Sequence, residues 1–396
     1  MKGLVIVFIM KEKTKTYEKK LYARRLVPEE KAFFVVSGET SRENRKRNTP
    51  PELFEPANRL PVKTLLFARP AEPYRTIIEY LAANENCAVY PDDSETRAFL
   101  VDLPVTNRFS ADALTGLLSE RKSLIIRGHG LAATGKTGPA DAYVNFSAAC
   151  FACFVKFFSD FLKDAHMHRM TADQKKTLEQ VLSNLPSAPF FAGGLSAVPV
   201  ETPEKARTAI IEAGRRIVAA GLVDACFGNI SRRMGNRLYI SKTGSFLDDL
   251  EGDIAACPMD DPECTGQQPS SEYPAHLAIY RSMDVVGVLH GHPLFSVIMS
   301  MDCRIDCDHR GDCHRACPHE RYIRDIPIVS GETGGGPFGL YKTVPGVIKE
   351  GKGAIVYGHG VFTTTKTDFN EALARMVEIE LTCREEYFER LKHLGV

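Results

Sequence analysis

Apolar residues in this chain follow two spacings, which predict strands that alternate with helices. Two short apolar runs, residues 124–126 and 354–356, each lead into Gly-His-Gly and predict buried strands. Apolar residues at helical spacing follow in each case and predict helices over residues 141–162 and 368–391. The same spacing predicts a helix over residues 203–220, which ends at Gly221. The pattern therefore indicates an α/β protein.

The two Gly-His-Gly segments also resemble each other. Residues 124–137 and 354–367 are identical at seven of fourteen positions, and their central histidines are His129 and His359. A repeat this far apart in the chain predicts duplicated domains. Pro and Gly punctuate residues 184–203, which predicts a linker between a first domain at 10–183 and a second at 204–396. A length of 396 residues also suits two cores better than one.

Apolar residues 3–9 at the N-terminus are too few to span a bilayer, and no cleavage site of small residues follows them. We interpret them as a tail before a helix-like stretch at residues 11–25, with Met10 as an alternative start. These features predict a cytoplasmic protein. Its 11 cysteines are then expected to be mostly reduced thiols or metal ligands rather than disulfides.

Charge and composition exclude some partners. Lys plus Arg and Asp plus Glu both total 50, so no overall field attracts nucleic acid or an anionic membrane. The shares of hydrophobic residues (44%) and charged residues (25%) are those of a chain that folds throughout. We expect a small-molecule ligand and neither nucleic acid nor membrane.

Candidate metal ligands lie at the end of the apolar run at residues 285–293. His290 and His292 are two positions apart, so a strand presents both imidazoles on one face. This arrangement suits a metal ion. The competing interpretation is a pair of histidines hydrogen-bonded to backbone. Upstream, Ser270 and Ser271 precede Glu272 at a predicted helix start, where unpaired N–H groups favour an anion.

Taken in order, the polar motifs of the second half resemble the signature series of the class II aldolase/adducin family. The resemblance covers residues 204–396 and is carried by five motifs, Gly228-Asn229-Ile230-Ser231, Lys242-Thr243-Gly244, Ser270-Ser271-Glu272, His290-Gly291-His292-Pro293 and Gly358-His359-Gly360.

The resemblance implies a role for each matching residue. His290, His292 and His359 match zinc-binding histidines, and Glu272 matches the carboxylate that approaches the metal at rest and acts as acid/base. The positions that grip a substrate phosphate are matched by Asn229, Thr243, Gly244, Ser270 and Ser271. His276, one helical turn after Glu272, is expected to pack behind the site. The implied fold is two tandem α/β/α domains, each around a largely antiparallel sheet.

The activity that this resemblance implies is a zinc-dependent aldolase, a lyase that cleaves a phosphorylated ketose by retro-aldol chemistry through a metal-stabilised enediolate. Another divalent metal is compatible with the same ligands. A sugar-phosphate dehydratase or a 4-epimerase on the same metal site is the alternative. A non-catalytic scaffold, as in adducin, is the alternative of another class, but a scaffold has no need of the three histidines, the glutamate and the polar turns together.

A cysteine array departs from the family pattern. Its four thiols, spaced C-x3-C-x5-C-x3-C, are Cys303, Cys307, Cys313 and Cys317. They predict a second zinc or an iron–sulfur cluster, with disulfides or free thiols as the competing interpretation. The Gly-rich segment at residues 330–338 is a lid or only a turn.

The first half departs further from the family pattern. An alignment at constant offset that places Glu72 on Glu272 also places Tyr90 on His290, and likewise Asp92 on His292. Of the three ligand histidines only His129 remains, by the match of the two Gly-His-Gly segments. We interpret residues 10–183 as a degenerate aldolase-like domain kept for assembly. Since the family's sites lie between subunits of a tetramer, the resemblance implies a homodimer with four aldolase-like domains.

Overall fold

The computed structural model describes residues 2–39, 48–196, 200–261, 264, 266–348 and 352–396. The chain divides into two compact units, Met1–Pro186 and Ser187–Val396. The division falls between helices ending at Ser183 and beginning at Pro203, and no helix or strand is present in the described residues between them. Each unit is a mixed α/β structure.

In the first unit, strands and helices alternate from the start of the described chain. The elements are α1 (Lys2–Ala23), β1 (Ala32–Val36), α2 (Phe54–Arg59), β2 (Thr64–Ala68), α3 (Tyr74–Asn84), β3 (Ala88–Val89), α4 (Ser94–Leu100), β4 (Leu103–Thr106), α5 (Ala111–Leu118), β5 (Ser123–Ile126), β6 (Gly130–Gly135), α6 (Pro139–His166) and α7 (Ala172–Ser183). Residues 3–9, interpreted above as a tail, are instead part of α1.

The described strands of this unit form a six-stranded sheet in the order β1-β2-β6-β5-β4-β3. Every neighbouring pair is antiparallel except β4 and β5. On one face, Leu65 and Ile126 pack against α2 and α5 through Phe54 and Leu114. Helix α6 covers the other face. Residues on both faces are buried, so the unit has three layers around a largely antiparallel sheet.

Helix α6 accounts for the most apolar segment of the chain. It is the one described helix that is long and apolar enough to cross a membrane, yet 83% of its most apolar 18-residue window is buried inside the protein. Its phenylalanines at 146, 154, 157, 158 and 161 are almost fully inaccessible to solvent. This burial is the behaviour of a core helix.

The second unit has more strands than the first. The elements are α8 (Pro203–Ala219), β7 (Asn229–Met234), β8 (Arg237–Ser241), β9 (Ile254–Pro258), α9 (Tyr273–Ser282), β10 (Gly287–Gly291), α10 (Leu294–Met301), β11 (Arg321–Ile323), β12 (Ile326–Val329), α11 (Leu340–Val347), β13 (Gly353–Val356), β14 (Gly360–Thr365) and α12 (Phe369–His393). The helices predicted at 203–220 and 368–391 are confirmed as α8 and α12.

The described strands of the second unit form an eight-stranded sheet in the order β11-β12-β13-β14-β10-β7-β8-β9. Only β12 and β13 pair in parallel. On one face, Val288 and Phe362 pack against α9 and α11 through Leu277 and Val344. Helices α8, α10 and α12 lie on the other face. This unit also has three layers, and its central strands β10 and β14 are buried on both faces.

Both sheets contain the same sequence of pairings. The order β3-β4-β5-β6-β2-β1 has the same parallel and antiparallel pairs as β11-β12-β13-β14-β10-β7, and β8 and β9 extend the second sheet. Phe67 pairs with Ala132 where β2 meets β6, and His290 pairs with Phe362 at the same point where β10 meets β14. Phe67 therefore occupies the place of His290.

This register corrects the alignment that we made from the sequence. Tyr90 is not at the position of His290, because it follows the edge strand β3 and is 59% exposed. Glu72 lies before α3 and forms an ion pair with Arg75. A constant offset fails because the two units differ in the length of chain between their corresponding strands.

The structure also contains a disulfide that the sequence analysis did not expect. Cys257 of β9 and Cys264 are joined, while the other nine cysteines, all among the described residues, form no disulfide. The bridge lies in the segment that leads from β9 to Ser270.

Candidate functional site

Strand β10 places the histidine pair at the centre of the second sheet. It lies between β7 and β14, and His290 is paired with Asn229 on one side and Phe362 on the other. His292 follows the strand, and Pro293 then caps the start of α10. Both imidazoles are buried. The prediction of a buried strand that carries two histidines to its end is confirmed.

The β13–β14 hairpin brings the third histidine to this pair. His359 lies in its turn, and Gly360 is the first residue of β14. A Cβ atom at Gly360 would be 2.3 Å from the carbonyl oxygen of Gly291 and 2.9 Å from Cε1 of His290. Only glycine fits at this position, so the Gly-His-Gly motif allows the hairpin to approach the histidine strand closely.

The three imidazoles converge in one buried group. Ligand atoms of His290, His292 and His359 all lie within 4.8 Å of one another. The Nδ1 atom of His290 donates to the carbonyl oxygen of Val361 at 3.1 Å, so its Nε2 atom keeps a free lone pair. That atom lies 2.9 Å from Nε2 of His292. Burial lowers the pKa of His290 to about 4 and holds the pKa of His292 well below its ordinary value, so both rings are neutral at pH 7.

Glu272 approaches this group from the N-terminal end of α9. Its Oε1 atom lies 3.1 Å from Nε2 of His359, and its Oε2 atom lies 3.3 Å from Nε2 of His290. The amide of Asn229 donates to Oε2 at 2.8 Å. Burial alone raises the pKa of Glu272, but His290, His359 and the Asn229 hydrogen bond together hold the pKa below its ordinary value. The carboxylate is therefore ionised.

The donor set fits a cation. Oε1 of Glu272 is buried without a hydrogen-bond partner, and the neutral ring of His290 has a free lone pair on Nε2, 3.3 Å from Oε2. An anionic oxygen and imidazole lone pairs repel one another unless positive charge lies between them. Among the described residues this is the one group of three or more His, Cys, Asp or Glu side chains with ligand atoms so close together. The triad could hold a metal ion.

Four of the five residues matched to a phosphate grip lie on adjacent turns. A β-bridge joins Lys242 to Pro269, and Oγ1 of Thr243 donates to the Pro269 carbonyl oxygen at 2.9 Å. This contact places Thr243 and Gly244 beside Ser270 and Ser271. Thr243, Gly244 and Ser271 are exposed. Ser270 is buried, and its hydroxyl oxygen accepts a hydrogen bond from the N–H of Glu272 at 3.3 Å. The result is a polar, solvent-facing rim next to Glu272.

Asn229 is the fifth residue of that set, and the structure places it differently. It is buried, with Nδ2 on Glu272 and Oδ1 2.5 Å from Nε2 of His276. Both polar atoms of its side chain are engaged by protein. Sequence reasoning assigned no chemical part to His276, although its spacing of four positions from Glu272 places the two on one helix face.

The cysteine array does not converge in this structure. The group of possible metal ligands found among the described residues contains none of Cys303, Cys307, Cys313 and Cys317. Cys313 is buried, with Sγ 3.6 Å from the carbonyl oxygen of His309, and the other three are half-buried. The array instead contacts the Gly-rich segment, because the N–H of Gly331 donates to the carbonyl oxygen of His314 at 2.9 Å. A second metal stays a prediction from sequence.

The corresponding positions of the first unit are aromatic. Phe67 stacks on Phe33 with ring centroids 6.3 Å apart and contacts Phe109 at 4.9 Å. By register, Phe33 and Phe67 occupy the positions of Asn229 and His290. His129 contacts the ring of Phe109 but is itself exposed. Phe33 and Phe67 therefore offer no metal-ligating atoms at the positions where the second unit has Asn229 and His290.

Comparison with known proteins assigns a family to much of the second unit. Residues 208–387 match the model of the Class II Aldolase and Adducin N-terminal domain. A methylthioribulose-1-phosphate dehydratase of Gluconacetobacter diazotrophicus is 40% identical over 96 residues, which are 23% of this chain and 47% of that protein. An L-fuculose phosphate aldolase of Methanocaldococcus jannaschii is 40% identical over 75 residues, 18% of this chain and 41% of that protein.

This chain thus spans about half the length of the curated relatives that it matches. Among solved structures, the l-fuculose-1-phosphate aldolase of Thermus thermophilus is similar with a TM-score of 0.37 and 23% identity, over 47% of this chain and 93% of that one. Residues 208–387, which contain the histidine triad and Glu272, match the family model and are therefore a class II aldolase/adducin domain.

Proposed function

We propose that residues 204–396 form a metal-dependent lyase that cleaves a phosphorylated ketose by retro-aldol chemistry. The observation that carries this proposal is a buried group of three imidazoles with the ionised carboxylate of Glu272 within 3.3 Å of two of them, His290 and His359. A buried carboxylate without a donor is costly, and such groups cluster at functional sites. The exposed polar rim beside Glu272 leaves room for a small anionic molecule.

Each residue of the site has a separate task in this proposal. His290, His292 and His359 would hold zinc or another divalent ion, and as neutral ligands they would not cancel its charge. Such an ion supplies Lewis acidity toward the carbonyl and hydroxyl oxygens of a ketose. Glu272 takes a proton from the substrate hydroxyl as the C–C bond breaks and returns one to the carbon that is left. The buried surroundings exclude water from the reacting atoms.

Substrate binding is assigned to the rim. The backbone N–H groups of Gly244 and Ser271 and the hydroxyl of Ser271 would bind the phosphate, close to the N-terminus of α9, where the helix dipole favours negative charge. Thr243 would hold the turn in place through its hydrogen bond to Pro269. Gly244 has φ of 74°, a conformation in which glycine directs its N–H without strain. The phosphorylated sugar would then lie between this rim and the metal ligands.

A dehydratase acting on the same class of substrate is the second candidate. Its support is the 40% identity to a methylthioribulose-1-phosphate dehydratase, which equals the identity to an L-fuculose phosphate aldolase. Both reactions need a polarised carbonyl and a group that transfers protons, so Glu272 and the triad serve either one. A 4-epimerase on this metal site and a non-catalytic scaffold are less favoured, the latter because the chain keeps the whole donor set.

The test is metal analysis followed by a substrate screen with the full chain. We expect one equivalent of a divalent ion at the triad, and a second equivalent only if the cysteine array also binds metal. Metal-loaded protein should cleave a ketose phosphate to an aldehyde and dihydroxyacetone phosphate. Loss of water without C–C cleavage would identify the dehydratase. Protein that has been reconstituted with metal and still reacts with no ketose phosphate would contradict both activities.

The first unit enters the proposal as a non-catalytic domain. We propose a cytoplasmic homodimer in which each chain contributes two aldolase-like domains, because both sheets share one strand order and only the second keeps the ligands. Sedimentation should then give twice the chain mass of 43.9 kDa. Residues 198–396 expressed alone should be poorly soluble or much less active, and residues 10–190 added in trans should restore activity. A monomeric full chain, or a fully active fragment, would refute this part.

A further inference from the structure

A chain of hydrogen bonds runs from Glu272 into the protein, away from the metal ligands. Asn229 contacts Glu272, His276 contacts Asn229 at 2.5 Å, and Ser231 contacts Nδ1 of His276 at 2.6 Å. The hydroxyl of Tyr280 is 3.0 Å from Oγ of Ser231. All five side chains are buried.

Two elements hold this chain of hydrogen bonds in place. Glu272, His276 and Tyr280 recur at every fourth position along α9, so they lie on one helix face. Asn229 and Ser231 are two positions apart on β7 and therefore point to the same face of the sheet. The chain of hydrogen bonds thus forms between one helix and one central strand. Phe362 closes it from the side, with its ring edge-on to His276.

The direction of each hydrogen bond follows when donors and acceptors are assigned in order, starting at the carboxylate. Ionised Glu272 only accepts, so Asn229 must present its NH2 group there and its Oδ1 atom to His276. Since that oxygen only accepts, Nε2 of His276 must carry the proton. Nδ1 of the neutral ring is then an acceptor, and the hydroxyl of Ser231 must donate to it.

Tyr280, at the far end of the chain of hydrogen bonds, completes this assignment of donors and acceptors. Tyr280 donates to Ser231, either to its hydroxyl or to its carbonyl oxygen, which is also 3.0 Å away. Ser231, His276 and Asn229 then each donate toward Glu272. Burial lowers the pKa of His276 to about 3, so the ring stays neutral at physiological pH. In the Nδ1–H tautomer, the unprotonated Nε2 of His276 would face Oδ1 of Asn229, and both atoms would be acceptors.

We infer that His276 is a positioning residue, which acts as the Nε2–H tautomer to fix the amide of Asn229 and thereby the carboxylate of Glu272. Oε2 is held by Asn229, and Oε1 is left free toward the metal ligands. A carboxylate that transfers protons must keep one orientation, and the Asn229 amide supplies it only while His276 prevents the amide from flipping. The inference rests on the proposed function for its kinetic part and on geometry alone for the tautomer.

Nitrogen NMR of the full chain, labelled with 15N-histidine, tests the tautomer without any activity. At neutral pH the metal-free protein should show His276 with a protonated Nε2 and an unprotonated Nδ1, assigned by comparison with His276→Gln. The Nδ1–H tautomer or a charged ring would overturn the inference.

Kinetics of the metal-loaded protein test the positioning role. His276→Leu removes the donor, and we expect kcat to fall about 10- to 100-fold with KM little changed, because the polar rim is intact. His276→Gln keeps an N–H group close to the Nε2 position, so it should recover most of kcat. Both variants should bind as much metal as the wild type. Leu277→Ala is the matched control, since Leu277 is buried on the same helix and belongs to the hydrophobic cluster.

The outcomes separate the inference from the proposed function. Leu277→Ala should lower the melting temperature but not kcat, so a similar kcat loss in that variant would mean that His276 only supports packing. Full kcat in His276→Leu, or equal losses in His276→Leu and His276→Gln, would also overturn the inference. A wild-type protein that has the expected tautomer but turns over no ketose phosphate would instead reject the proposed function.

Discussion

Replacement of His292 by Ala should remove metal and turnover together. Nε2 of His292 is 2.9 Å from that of His290, and the rings are buried, so water cannot fully replace the lost ligand in the same geometry. A metal contributes several kcal/mol to transition-state stabilisation, which corresponds to at least about a 1000-fold loss of kcat. Metal content by mass spectrometry and initial rates on the identified substrate provide the measurement.

His309→Ala is the matched control for this variant. His309 is an exposed histidine in the cysteine array, outside the triad, and its loss should leave the catalytic metal and kcat unchanged. Circular dichroism would show whether both variants fold. A folded His292→Ala protein with a full metal complement at this site would mean that the triad is not the metal centre.

Replacement of Glu272 by Gln should leave metal binding intact and remove most of the rate. The amide has the shape of the carboxylate and can still accept the hydrogen bond from Asn229, but it cannot exchange a proton. General acid–base catalysis contributes about 100- to 10,000-fold, so kcat should fall within this range while KM changes little. Steady-state kinetics and metal analysis of the same preparation would check the expectation.

Glu251→Gln is the control for the loss of a carboxylate as such. Glu251 is exposed and pairs with Arg215, away from the triad. We expect normal kinetics from it. Near-normal turnover by Glu272→Gln would show that another group moves the proton, and loss of metal in that variant would show that Glu272 is a ligand instead.

Local patterns were sufficient to predict the elements of the second unit that carry the site. The helices α8 and α12, and the buried strand that presents His290 and His292, follow from apolar spacing because each element buries one periodic face. The resemblance carried by the polar motifs implied which side chains meet, and the match of residues 208–387 to a family model agrees with that resemblance. A linker at residues 184–203 was predicted because Pro and Gly disfavour both helix and strand.

Three features depended on the tertiary structure. The register of β2 against β6 showed that Phe67, and not Tyr90, stands at the position of His290, since loop lengths between paired strands are not constrained by periodicity. The disulfide between Cys257 and Cys264 required the fold to bring two particular cysteines together. The four thiols of the array, close in sequence, were not brought together.

What the sequence by itself determined about this protein is which residues can do chemistry and which local elements present them. Only the tertiary structure decided how those residues support one another, and the chain from Tyr280 through His276 to Glu272 is the clearest case. Its members come from a helix and a strand that are far apart in sequence, and hydrogen bonds depend on distances of a few tenths of an ångström. Spacing along a chain fixes the face on which a side chain lies, whereas packing between elements fixes what that side chain touches.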